Sequence, residues 1–288
     1  MINEFIENQL AGWPEARERY LALGKTERRR FRLGDFEGAF QFNPARIGST
    51  GAKVDAGSIS SRPCFLCREY RPEEQLAIPL SKDWEMLVNP FPIFPVHFTI
   101  ASTSHIPQDV PPLDMAGMAE HFPELVFFFN GASAGASAPD HKHLQAVLKS
   151  ELPLLRIAEA SHPADKPGIM RSDMWNLDLP FLFLSALITD DEEGGRDYMK
   201  MLAFTGGDAD GKPDRGLRNV YCWKGDDGLL RMIVIPRRRH RPDCYGTGAG
   251  QLLVSPGAVD MAGVVILPRE EDFTTITENQ IKNIYNQV

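Results

Sequence analysis

Two histidines and a glutamine alternate in DHKHLQ, at His141, His143 and Gln145. An extended strand turns residues i, i+2 and i+4 to one face, so this spacing stands the three side chains in a row, with Lys142 and Leu144 facing away. Such a row can offer a metal ligand, a nucleophile or neither, and an isolated H-x-H pair also fits two histidines on a half-exposed strand that do no chemistry. The preceding run NGASAGAS (130–137) consists largely of small side chains, which let backbone N–H groups approach a phosphate. No Gly-Lys-Ser/Thr follows it, so it is not a Walker loop, and alone it also reads as an ordinary turn.

Cys64 and Cys67 in PCFLC have the C-x-x-C bite with which two thiolates share one zinc ion. The competing reading is a redox pair, but no thioredoxin-like βαβ pattern surrounds it. A tetrahedral site needs two more ligands, and His105 and His141 are the candidates. With His141 on a metal, His143 is left for chemistry.

These groups must be positioned by a folded core, and the composition provides for one. Of 288 residues, 43% are hydrophobic and 24% charged, the balance of a globular protein rather than a disordered chain. The net charge of −8 argues against a dedicated nucleic-acid binder while leaving room for a local basic pocket. MINEFIENQL does not read as a secretory signal, and the longest apolar stretches, such as FLFLSALI at 181–188, are too short to span a bilayer. The expectation is a cytoplasmic protein without a membrane partner. Four cysteines make no disulfide framework at this length, and Cys222 and Cys244 are expected to be buried and inert.

Apolar spacing predicts an N-terminal helix interrupted near Pro14, then a short hairpin and a mobile loop around GSTGAKVDAGSISS within 31–62. WEMLVNPFPIFPVHFTIAS reads as strand, Pro-containing connection, strand, and DMAGMAEHFPELVFFFNGAS as a helix running into a buried strand. HKHLQAVL reads as a further strand. NVYCWKGDDGLLRMIVIPRRR supplies two strands joined at Gly225–Gly228, and SHPADKPGIMRSDMWNLDLP reads as an irregular crossover. Residues 252–271 align without a gap on 86–105, matching Leu87, Val88, Pro90 and Ile100 with Leu253, Val254, Pro256 and Ile266. A duplicated unit leaves such a match, and so does shared composition. The basic runs KTERRRFR and PRRRHRP read either as solvated surface or, for the second, as a reach into an anion site.

NGASAGASAPDHKHLQ, with PCFLC upstream and LVNPFPIFPVHFTIASTSH between, resembles the transferase branch of the histidine-triad superfamily. That branch includes galactose-1-phosphate uridylyltransferase, diadenosine tetraphosphate phosphorylase and the GDP-hexose phosphorylases. DHKHLQ looks closest to the diadenosine tetraphosphate phosphorylases. VSPGAVDMAGVVILPREEDF is similar to the matching region of GDP-L-galactose phosphorylase, and QFNPAR (41–46) resembles a nucleotide-contacting segment of both phosphorylase types. The likeness runs from about residue 38 to the C-terminus.

The resemblance implies an α+β fold of antiparallel sheets with flanking helices, in two related histidine-triad-like (HIT-like) units of which the second is degenerate. Residues 1–60 are then an N-terminal helix and hairpin, 61–155 the catalytic unit and 156–288 the second unit. It implies a nucleotidyltransferase of phosphorylase type that cleaves a dinucleoside polyphosphate or NDP-sugar, with phosphate or a sugar phosphate as acceptor. His143 would be the nucleophile at the α-phosphorus, and Gln145 would hold a non-bridging oxygen. Asn89 would meet the ribose, Asn130, Gly135 and Ser137 the phosphates, and Gln41, Asn43 and Arg46 the nucleotide side. Cys64, Cys67, His105 and His141 would hold a structural zinc. A homodimer is a further expectation. Asp140 stands between Pro139 and His141 where the uridylyltransferases run straight from proline to histidine, so the implied substrate shifts away from theirs. The alternative is a nucleotide-binding protein that keeps the zinc-stabilised fold without turnover.

Overall fold

The computed structural model describes residues 2–51, 55–109, 112–161, 169–172, 183–188 and 216–288. Its strands are β1 (Glu27–Leu33), β2 (Phe36–Phe42), β3 (Ala77–Pro79), β4 (Trp84–Val88), β5 (His97–Ser102), β6 (Leu125–Asn130), β7 (His143–Leu148), β8 (Ile169–Ser172), β9 (Phe183–Ile188), β10 (Arg218–Lys224), β11 (Leu230–Pro236) and β12 (Val264–Leu267). Nine of them form one sheet in the order β3-β4-β5-β7-β6-β10-β11-β9-β8. All its pairings are antiparallel. The hairpin β1-β2 is extended by β12, which runs parallel to β2 as a third strand of a second, small sheet.

The large sheet is covered on both faces, which explains the unbroken apolar run LVFFF at its centre. Side chains alternate: Val126 and Phe128 enter one core with Tyr221, Ile233 and the small sheet's Phe40 and Val265. Leu125, Phe127 and Phe129 enter the other with Phe98, Leu144 and the helix residues Met115 and Ala119. Each of the three buried phenylalanines contributes about 2–3 kcal/mol by leaving water, so β6 is held firmly from both sides. Its polar end, Asn130, is fixed with it. The helix Glu278–Gln287 closes the first core through Ile281, Ile284 and Tyr285. The first helix, Ile2–Gly12, adds Ile6 to the second.

The N-terminal helix is interrupted as its sequence predicts, ending at Gly12 and restarting at Pro14, where a missing N–H costs nothing. Three expectations change. First, β7 begins at His143, so His141 precedes the strand and the three side chains do not share one strand face. Second, the expected crossover contains an edge strand, β8, paired with β9, while its residues 162–168 and 173–180 lie outside those described. Third, 252–271 does not repeat the arrangement of 86–105. β4 and β5 pair with each other, whereas a helical turn, Ala258–Met261, separates 252–254 from β12, which joins the small sheet. In the expected mobile loop, Ala56–Ser60 is helical, capped by Asp55 accepting from Ser58 N–H, and residues 52–54 lie outside those described. No helix among the described residues is long and apolar enough to cross a membrane.

Candidate active site

Strand pairing puts Ala101 opposite His143, Thr99 opposite Gln145 and Phe128 opposite Gln145. Direct partners share a face, and here it is the face covered by the small sheet, because Val147 in the same alternation enters that core. Toward one end of this face the apolar pattern gives way to His97, Thr99, Gln145, His143, Asn130 and Asn219, all but Gln145 buried. Buried polar groups need partners, so this band has to be satisfied internally or by a ligand. A cavity of about 510 Å³ opens over it, lined by Asn89, Asn130, Gly135, Ser137, His143 and Gln145 among others.

His143 is held at its backbone by a residue the sequence did not single out. The Gln108 amide donates to the carbonyls of Asn130 and His143, both at 2.9 Å, and accepts from His143 N–H at 2.8 Å. It thereby pins the point where β6 and β7 part to form the small-residue loop. His143 Nδ1 lies 2.8 Å from the His141 carbonyl, which can only accept. The partner assigns the proton to Nδ1 and leaves the lone pair on Nε2. Burial, and then the His141 ring, push the His143 pKa down to about 4 against the opposing pull of its backbone hydrogen bond and Asp140. The imidazole is therefore neutral at physiological pH.

Gln145 is oriented by a second histidine. His97 Nδ1 accepts from Ile93 N–H at 3.1 Å, so its proton sits on Nε2, which donates to Gln145 Oε1 at 2.9 Å. With its oxygen committed to His97, Gln145 is set to present its NH₂ as a donor. Burial and the Arg46 charge push the His97 pKa down to about 3, so His97 stays neutral. Asn89, beside them, donates to Thr99 Oγ1 and accepts from Phe91 N–H.

The loop after β6 is shaped by close approach. Asn130 Oδ1 accepts from Asn219 Nδ2 at 3.0 Å and from Ala258 N–H at 2.7 Å. Gly135 has φ +99°, and a Cβ there would lie 2.7 Å from Gly257 Cα, so only glycine fits both the torsion and the space. Residues from the far C-terminal part thus dock directly on the loop that flanks His143.

The four sequence-derived metal ligands come together. Donor atoms of Cys64, Cys67, His105 and His141 all lie within 4.8 Å of one another. His141 Nε2 donates to Ser102 O at 2.9 Å, which turns the lone pair of Nδ1 to Cys64 Sγ at 3.3 Å and Cys67 Sγ at 3.5 Å. His105 Nδ1 lies 3.1 Å from Cys67 Sγ. Metal–sulfur and metal–nitrogen bonds of roughly 2.3 and 2.0 Å place tetrahedral ligand atoms roughly 3.5 Å apart, close to this spacing. Burial and the adjoining Cys64 push the Cys67 thiol up to about 11, an effect a dication would reverse. Arg71, ion-paired with Glu85 at 3.1 Å, donates twice to Leu66 O and so braces the knuckle. The residues fit a metal ion.

Arg46 lines the cavity, donating to Phe91 O at 2.7 Å, with burial lowering its pKa to about 10 against the raising effect of Asp260. Gln41 and Asn43 are buried outside the cavity lining. Their amides donate to Ile93 O and Pro92 O, so they brace from behind the Pro-rich connection whose Pro90, Phe91 and Ile93 line the cavity. The first basic run lies on β1, where Arg28 meets Glu151 and Arg30 and Arg32 meet Glu37. The second divides. Arg237 is buried against Val288 O, Asn219 Oδ1 and Pro256 O, Arg239 pairs with Asp243, and His240 and Arg241 line the cavity. Cys222 is buried and Cys244 half-buried, and burial raises both thiols above the usual range.

His97 and Gln108 escaped the sequence reading. His97 carried a signal, a histidine at the head of a fully buried strand. Gln108 carried none.

The fold is shared with yeast Ap4A phosphorylase Apa2. Its structure aligns with a TM-score of 0.59 and 14% sequence identity over 95% of each chain. The complex of Apa2 with AMP gives 0.58 and 15% over 97% of this chain and 96% of that one, and the complex with Ap4A gives 0.59 and 15% over 95% of each. No curated protein matches the sequence. A family model does match, over residues 5–148, and the chain belongs to that family, described as domain of unknown function (DUF4922).

Proposed function

We propose that this chain is a nucleotidyltransferase of phosphorylase type, acting on a dinucleoside polyphosphate or an NDP-sugar. The observation that carries the reading is the neutral His143, its Nδ1–H tied to the His141 carbonyl and its Nε2 lone pair left to the cavity. A binding module has no use for such a nucleophile. The shared fold with a protein whose structures hold AMP and Ap4A supports it.

In the first displacement Nε2 bonds to the α-phosphorus, and the bond from that phosphorus to the bridging oxygen breaks with its electron pair. The departing phosphate needs no proton, which suits an active site whose third position is an amide, unable to act as general acid. The Gln145 NH₂ donates to a non-bridging oxygen, where charge grows in the transition state. The Nδ1 proton stays on the ring, and the His141 carbonyl stabilises the cation so formed. In the second displacement an oxygen of inorganic phosphate or a sugar phosphate attacks the same phosphorus, the P–N bond breaks, and the neutral imidazole returns. With inorganic phosphate the product is a nucleoside diphosphate.

Asn89 meets the ribose, Asn130, Gly135 and Ser137 surround the phosphates, and Arg46 lies on the nucleotide side. Cys64, Cys67, His105 and His141 would hold a zinc ion that fixes the start of β7 and with it the carbonyl behind His143. Zinc with four protein ligands is structural, so it supplies rigidity rather than a bound nucleophile.

Phosphate-dependent cleavage tests the proposal. Incubation with Ap4A and a panel of NDP-sugars should release nucleoside diphosphate only when phosphate is present, followed by ³¹P NMR. Binding of nucleotides without cleavage would instead establish a binding protein.

A further inference from the structure

Asn130 on β6 and Asn219 on β10 are direct cross-strand partners, so their side chains stand together on one face of the large sheet. Both are buried, and a buried amide needs partners for its oxygen and its nitrogen. Those partners dictate which way each amide points. Ala258 N–H can only donate, so Asn130 turns its oxygen to it at 2.7 Å. Ala134 O can only accept, so Asn219 turns its NH₂ to it at 2.9 Å, and the same NH₂ donates to Asn130 Oδ1 at 3.0 Å. The other end of Asn219, Oδ1, accepts from Arg237 Nη1 at 2.8 Å. One polarity therefore runs from the guanidinium through two amides. With its oxygen doubly engaged, the Asn130 side chain has its NH₂ left for the cavity it lines.

Arg237 is fully buried, and each of its three nitrogens is used. Nε donates to Val288 O at 2.8 Å, Nη1 also to Pro256 O at 3.1 Å, and Nη2 to the carbonyls of Arg239 and His240, both at 3.2 Å. A Cβ on Gly135 would lie 3.2 Å from Pro256 O, the carbonyl that Arg237 holds. The guanidinium thus grips the pair of amides and also the segment pressed against the small-residue loop. A lysine ammonium is a point of charge on a flexible stem and lacks the planar fork that reaches several acceptors at once.

We infer that Arg237 is a positioning residue for the ligand site: acting through Asn219 and Pro256, it holds the small-residue loop in place and keeps the Asn130 NH₂ turned to an anionic ligand. That the ligand is a nucleotide rests on the nucleotidyl-transfer reading, whereas the positioning rests on these hydrogen bonds. A donor already oriented need not be ordered when the ligand arrives, so losing Arg237 weakens binding even where the fold survives.

Hydrogen exchange followed by mass spectrometry tests the positioning without a ligand. R237Q should speed exchange in peptides covering 131–137 by about tenfold or more while the paired strands β4 and β5 keep their wild-type rate, with R237K between. Unchanged exchange at 131–137 overturns the inference. So does equal acceleration in both regions, which marks a residue that merely stabilises the fold.

Calorimetric titration with AMP, GMP and UMP, well below the Tm of each variant, reads the ligand side. A nucleotide that the wild type binds should bind about tenfold more weakly to R237Q and to N219A, and the double variant should do no worse than the weaker single one, because both act on one path. Affinities within about twofold of wild type, or losses that multiply in the double variant, overturn it. Should the loop respond as expected while the wild type binds none of the three, or binds without cleaving Ap4A or an NDP-sugar, the positioning stands and the transferase reading falls. N219A, which breaks the relay with Arg237 in place, carries both measurements if R237Q does not fold.

Discussion

His97 Nε2 and Gln145 Oε1 lie 2.9 Å apart, with the proton on the histidine because Ile93 N–H occupies its other ring nitrogen. This contact decides which end of the Gln145 amide is offered as a donor. Gln145→Glu would place a carboxylate against phosphoryl oxygens, and transfer should slow at least a hundredfold, in line with the loss of an oxyanion donor. His97→Ala should act more mildly, lowering kcat about tenfold with KM nearly unchanged, because the amide remains but can turn. Stopped-flow measurement of the first displacement separates the two. Equal rates in His97→Ala and wild type would remove His97 from any positioning role.

Gln108 satisfies three backbone groups at the parting of β6 and β7. Gln108→Ala leaves them without that partner, at a cost of about 1–3 kcal/mol each where water cannot replace it. Urea denaturation should show the loss, and transfer should slow as His143 loses its backbone anchor. Unchanged stability and rate would show that water takes over the amide's bonds.

The Cys64, Cys67, His105 and His141 cluster should carry one zinc per chain by elemental analysis. Cys64→Ser should lose it and lower Tm by more than about 5 °C, since structural zinc supplies folding free energy directly. Purified protein that binds no zinc and is indifferent to chelators would refute the assignment.

His97 also gives stability a pH dependence. Its folded pKa, about 3, lies below the unfolded value near 6.5, so between these limits the unfolded chain binds the extra proton. Stability is therefore fully present above about pH 6.5 and is lost as pH falls toward 3, with a slope of up to about 1.4 kcal/mol per pH unit for one proton. Urea titrations from pH 4 to 7 should show a shallower slope in His97→Asn. An identical slope would place the proton uptake elsewhere.

Local pattern carried much of this fold. LVFFF announced a strand buried on both sides, Pro14 a helix break, and Gly225–Gly228 a turn, because each is decided by residues adjacent in sequence. The C-x-x-C pair and the histidines foretold that Cys64, Cys67, His105 and His141 would come together, because a tetrahedral ion dictates ligand types. What stayed hidden depends on distant partners. Nothing near 264–267 says that β12 will pair with β2, more than 200 residues away, rather than repeat β5. Nor does Gln108 reveal that its amide lands between two strand ends. Neither does the string QFNPAR reveal that the amides of Gln41 and Asn43 hold the backbone carbonyls of Ile93 and Pro92.

The central claim is covalent, so mass spectrometry of the intact protein tests it most directly. After brief exposure to Ap4A or an NDP-sugar without phosphate, wild type should gain the mass of one nucleoside monophosphate less water, lost in acid and on adding phosphate, while His143→Ala gains none. Phosphate-dependent turnover with no such adduct, or an adduct that persists in His143→Ala, would contradict the account.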